Sequence, residues 1–89
     1  MATVRFAQSI QRHVECHPRE VAGDTIGAVL DRYFTENERA RGYVLDDQGR
    51  LRQHMAIFVD GLHIRDRKGL TDPVAPDAVV DLIQALSGG

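Results

Sequence analysis

"GDTIGAVLDRYF", residues 23–34, is the stretch on which the fold turns. Ile26, Val29, Leu30, Tyr33 and Phe34 fall at i, i+3, i+4, i+7 and i+8, one continuous apolar face of a helix. Asp24 or Thr25 offers the side-chain oxygen of an N-cap. Gly27 stands in the first turn, where glycine costs up to about 1 kcal/mol relative to alanine. Its presence predicts that the helix passes close to a sheet there.

On either side of this helix the period changes to two. Residues 3–8, "TVRFAQ", set Val4 and Phe6 against Thr3 and Arg5, as a half-buried strand does. Residues 12–21, "RHVECHPREV", alternate more weakly, and Pro18 restricts them to an edge strand. After the helix, "TENERARG" reads as a solvated charged segment, with Gly42 as a helix or turn stop. "YVL" from Tyr43 resumes strand character, "DDQG" turns, and "RLRQHMAIFVDG" alternates Met55, Ile57 and Val59 against Ala56, Phe58 and Asp60. Asp60-Gly61 signals a tight turn into a short return strand, "LHIR". Leu70 and Val74 anchor the loops that follow, and "AVVDLIQAL" closes the series as a strand apolar on both faces in part.

The expected order is strand, strand, helix, strand, short strand, strand. This is an α+β fold: a mixed sheet with one main helix packed across one face. A single long amphipathic helix cannot cover both faces, so the other face meets solvent or a partner. If Val4, Phe6, Met55, Ile57, Val59, Val80 and Leu82 face the helix, the pleat sends Arg5, Ala56, Phe58, Asp81 and Ile83 to the open face. Phe58 and Ile83 are then expected to be exposed, as a docking patch.

Composition narrows the function. Eighty-nine residues suit one domain with one core. A formal charge of -2 argues against a nucleic-acid surface. No apolar run approaches the 18 to 20 residues of a membrane span, and the N-terminus lacks a signal-peptide pattern. A lone cysteine, Cys16, points to a reducing cytoplasm. Catalytic motifs are missing too: Ser9 and Ser87 are the only serines, and neither sits in a Gly-x-Ser-x-Gly elbow. "HVECHP" would set His13, Glu15 and His17 on one strand face with Cys16 on the other. Two histidines and a carboxylate can hold zinc, but no second ligand pair has recognisable spacing, so no metal is expected. Ten of the eleven basic residues are arginine, and Lys68 is the only lysine.

The chain finishes on "QALSGG", and at a glycine frequency of about 7% two terminal glycines arise by chance in roughly 0.5% of chains. Taken in order, "VRF", "GDTIGAVLDRYF", "FVDGLHIRD", "DAVVDLIQAL" and the final "GG" resemble the ubiquitin-like sulfur carriers of the ThiS/MoaD type. The resemblance spans nearly the whole chain. Residues 36–52 are longer than a minimal member needs and are similar to the longer carriers, including the type that donates sulfur for cysteine synthesis.

The resemblance implies a β-grasp fold with the first and last strands central and parallel. It divides the chain into one domain, residues 1–86, and a flexible tail, residues 87–89. It also implies that the carboxylate of Gly89, with Gly88 before it, is adenylated by an ATP-using E1-like enzyme and converted to a thiocarboxylate. A carboxylate with a pKa near 3.5 is ionised at pH 7 and a poor electrophile until a leaving group is attached. Glycine lacks a Cβ, which lets such a tail thread a narrow channel. The protein is thus expected to be a carrier rather than an enzyme, with no cofactor of its own, ATP being used by the partner. Its expected partners are the adenylating enzyme, a sulfur donor such as a cysteine desulfurase or rhodanese, and a downstream acceptor enzyme. Phe58, Ile83, Arg5, Leu86 and Ser87 form the expected docking set. The alternatives are a ubiquitin-like modifier that joins lysines through Gly89, and a small subunit of molybdopterin synthase.

Overall fold

The computed structural model describes residues 1–84. Five strands, β1 (Ala2–Phe6), β2 (Arg19–Val21), β3 (Met55–Val59), β4 (Leu62–His63) and β5 (Val79–Gln84), form one sheet in the order β2-β1-β5-β3-β4. Helices α1 (Gln8–Gln11), α2 (Ile26–Thr35) and α3 (Glu38–Val44) complete the described residues. The first and last strands run parallel side by side, Val4 opposite Val80 and Phe6 opposite Leu82, while the other pairings are antiparallel. This is the β-grasp arrangement.

Helix α2 forms where the 3.6 period predicts it. Thr25 caps it, its hydroxyl accepting from the Ala28 amide at 3.1 Å. Ile26, Val29, Leu30, Tyr33 and Phe34 are all buried, in one core with Val4 and Phe6 of β1, Met55 and Ile57 of β3, and Val80 and Leu82 of β5. Each fully buried side chain of this size contributes about 1.5–3 kcal/mol, so this one interface dominates stability. Asp60 and Gly61 both take positive φ, 50° and 87°, and close β3 onto β4 as the tight turn their identity predicts.

The structure departs from the sequence reading in four places. Residues 12–21 are not a continuous edge strand. The chain leaves β1 at Ala7, makes one turn of α1 and pairs with β1 only at Arg19–Val21. Phe6, Ile10 and Val14 are spaced by four, and this helical spacing outcompetes the weak alternation; Ile10 is fully buried. His13, Glu15 and His17 therefore do not share a strand face.

The charged run is not simply a solvated segment either. Ala40 and Val44, four apart, are fully buried and hold α3 onto the core, with Gly42 inside the helix rather than ending it. Tyr43 and Val44 belong to that helix, so "YVL" is not a strand, although Leu45 still pairs with Leu51 across the "DDQG" turn. The close approach at Gly27 is to a loop, not to the sheet. Its amide donates to the Leu70 carbonyl at 2.8 Å, and a Cβ there would lie 3.3 Å from that oxygen.

Candidate functional site

The pleat places the open face as expected, and register aligns it into rows. Arg5 lies opposite Asp81, Asp81 opposite Phe58, and Phe58 opposite His63, a row across four strands. The next row toward the C-terminus is Ile83 opposite Ala56. Arg5 grips Asp81 with two bonds, Nε to Oδ1 at 2.7 Å and the second guanidinium nitrogen to Oδ2 at 3.0 Å. The hydrogen bond and charge of Asp81 raise the Arg5 pKa. The ring of Phe58 meets His63 edge to face at a centroid distance of 5.1 Å.

Exposure is less than expected. Phe58 and Ile83 are half-buried, not exposed, because the Arg5–Asp81 pair, His63 and each other's rows flank them. Ala56 is buried. Among the described residues the most exposed large apolar side chain is Leu62, at 75%, and its pairing with Val59 turns it away from this face. The open face is thus a shallow apolar strip with a self-neutralised charged border. It can bind by shape and burial, but it holds no catalytic constellation.

Leu86, Ser87, Gly88 and Gly89, and the domain boundary after residue 86, lie outside the described residues. At the last described position, Gln84 pairs with Met55, and its side-chain oxygen accepts from the Tyr43 hydroxyl at 3.2 Å. The Tyr43 ring lies between His13, stacked at 5.6 Å, and His54, edge-on at 5.6 Å. Helix α3 thereby braces the end of β5. The sequence reading passed over this brace because it placed Tyr43 in a strand; the spacing of Ala40, Tyr43 and Val44 (i, i+3, i+4) carried the signal.

Other candidate groups are structural. Cys16 is buried, its Sγ 3.5 Å from the Val14 carbonyl, and burial pushes its thiol pKa up, away from nucleophilic reactivity. His17 contacts Glu15 at 3.2 Å on the surface, and among the described residues no three metal-ligating side chains are grouped. Asp46, Asp66 and Asp72 organise turns: Asp66 accepts from the Thr71 hydroxyl at 2.6 Å and from backbone amides, Asp46 and Asp72 accept several N–H bonds, and these bonds lower their pKa values.

The model of the ThiS family matches residues 7–89. The chain belongs to the ThiS family. Among solved structures it is similar to Mycobacterium tuberculosis CysO, described as an antigen, at 22% identity and a TM-score of 0.80, over 97% of this chain and 100% of that one. It is similar to SAMP1 from Haloferax volcanii at 21% identity and a TM-score of 0.76, over 99% and 98% of the two chains. A chain of the Amycolatopsis orientalis BexX/CysO complex matches at 21% identity and a TM-score of 0.76, over the full length of both. Against curated protein sequences the chain has no match. At these identities the structural likenesses show the fold, and the family model supplies the membership. No described helix of this ThiS-family chain is long and apolar enough to cross a membrane.

Proposed function

We propose that this ThiS-family protein is a cytoplasmic sulfur carrier working through the carboxylate of Gly89. The observation that carries the reading is that the family match runs to Gly89 itself, behind a β-grasp body. An ATP-using E1-like enzyme joins AMP to the carboxylate and releases pyrophosphate. A persulfide carried by a donor such as a cysteine desulfurase or rhodanese then attacks the acyl carbon and displaces AMP, leaving an acyl disulfide; a second thiol of the partner enzymes attacks the donor-side sulfur, forms a disulfide with the donor and releases the thiocarboxylate, which supplies sulfur to an acceptor enzyme. Gly88, Ser87 and Leu86 thread the tail, and the chain needs no catalytic side chain or bound cofactor. The apolar strip of Phe58, Ala56 and Ile83 receives the partner, with Arg5 and Asp81 setting its border. Existence of a CysO complex with BexX supports partner docking by a protein of this fold.

A second reading is favoured by the likeness to small archaeal modifier proteins from two organisms. In it, Gly89 forms an isopeptide bond with lysines of other proteins. Self-chains through lysine would be limited to Lys68. Co-expression with its genomic neighbours followed by intact-mass measurement separates the two. Exchange of one terminal oxygen for sulfur supports the carrier, and conjugates on target lysines support the modifier. An unchanged terminus beside its own activating enzyme overturns both.

A further inference from the structure

The topology gathers two basic stretches that lie apart in the sequence. Residues 50–54, "RLRQH", and Arg67 and Lys68 of "RDRK" meet at the start of β3 and line a groove of about 540 Å³. Arg50, Arg52, Arg67 and Lys68 stand there against a single carboxylate, Asp46, in a chain whose net charge is -2. That carboxylate is already committed. It accepts from the Gln48 and Arg50 amides, each at 2.9 Å, and from Arg50 Nε at 3.1 Å.

Two of the guanidiniums are held in place from behind. Arg52 Nε donates to the Gly42 carbonyl at 2.9 Å, and Arg67 donates to the carbonyls of Arg52 and Met55, both at 2.8 Å. Much of the ordering cost of presenting these charges is therefore met by the fold before any ligand arrives. Lys68 is exposed, and its ammonium has no partner among the described residues.

The backbone discriminates between kinds of anion. A phosphate cradle uses a run of free N–H groups, but most of the lining amides are spent: Asp46 on the Arg50 carbonyl, Arg50 on the Asp46 carboxylate, Leu51 on the Arg67 carbonyl, Arg52 on the Val44 carbonyl, and Lys68 on Asp66. Recognition falls to side-chain cations spread along an open groove, which suits a run of carboxylates better than one phosphate. Location supplies the partner. Arg67 bonds the carbonyl of Met55, and Met55 pairs with Gln84, the last described residue before the tail. The groove therefore lies beside the end of β5.

We propose that the groove docks an acidic segment of the enzyme that activates the tail, steering the encounter by charge; this rests on the proposed function. The test measures association of the full chain with its activating enzyme at several salt concentrations. Lys68→Glu should slow association at low salt by about tenfold and flatten its salt dependence, while Lys68→Arg behaves as wild type. Arg52→Gln, which removes a charge without reversing it, should fall between them. Deleting Gly89 should abolish loading yet leave the fast, salt-sensitive association intact, so loss of loading and loss of steering are read separately. Wild-type association by Lys68→Glu at every salt concentration would overturn the proposal. If no enzyme loads Gly89, the groove is titrated with hexaglutamate and with inorganic pyrophosphate, following the amide NMR signals of residues 50–54 and 67–68. Saturable shifts with hexaglutamate that Lys68→Glu weakens support an acidic-segment groove; tighter binding of pyrophosphate, or no shift, overturns it.

Discussion

The two faces of the sheet are made by alternate residues of the same strands and have opposite characters. Toward α2 lie Val4, Phe6, Met55, Ile57, Val80 and Leu82, all buried. Toward the open side lie Arg5, Asp81, Phe58, Ile83 and Ala56, where an ion pair borders half-buried apolar groups. One residue of offset along a strand separates the covered face from the open one. The covered face carries stability and the open face is the proposed docking surface, and substitutions on each should report that division.

The largest effect is expected at the covered face. Leu30→Ala, on the buried stripe of α2, should cost about 2–5 kcal/mol, read as a lowered urea midpoint with an unchanged m-value. A cost below 1 kcal/mol would break the view that this stripe dominates stability. Next, Phe58→Ala combined with Ile83→Ala should weaken binding to the activating enzyme by about 2 kcal/mol, the scale of a central interface anchor. Far-ultraviolet circular dichroism and cooperative unfolding should remain. Unchanged affinity in titration calorimetry would remove the open face from recognition.

Tyr43→Phe comes third. It deletes the hydrogen bond to Gln84 and should cost about 0.5–1.5 kcal/mol. Faster amide exchange near the end of β5, with little change in β1, would locate the loss there. The smallest effect is acid-dependent. Asp46, Asp66 and Asp72 have folded pKa values below the ordinary carboxylate range, so their contribution is present above an unfolded pKa of about 3.9. It is lost as pH falls through the lower folded values. Asp66→Asn should flatten the stability profile between pH 4 and the acid limb, and an unaltered profile would show that the Asp66 turn contributes nothing.

What was legible in the sequence followed from strong periodicity. The helix at Ile26–Thr35 announces itself by five apolar residues on one stripe, and β1, β3 and β5 by alternation. The segments misread are those where the local signal is short or mixed. In α1, four residues give too little of a 3.6 period to outweigh neighbouring alternation. In α3, charged residues and Gly42 mask the buried pair Ala40 and Val44, and the helix persists because tertiary packing overrides weak propensity.

The site divides in the same way. Parity along β1, β3 and β5 was enough to send Arg5, Phe58 and Ile83 to one face. Their half-burial was not legible, because it depends on the register that seats Arg5 against Asp81 and Phe58 against His63. The brace on Gln84 and the basic groove were likewise hidden, since their members come from segments that meet only when the chain folds.

By itself, then, the sequence determined the period of each strong element, the parity of each strand and the resemblance that membership in the ThiS family bears out. These are properties of neighbours along the chain, set by backbone geometry and the need to bury apolar surface. Only the tertiary structure decided which cations share a groove, which ring braces the end of β5 and how far the open face is covered. Those depend on distances between segments tens of residues apart, which no local pattern encodes.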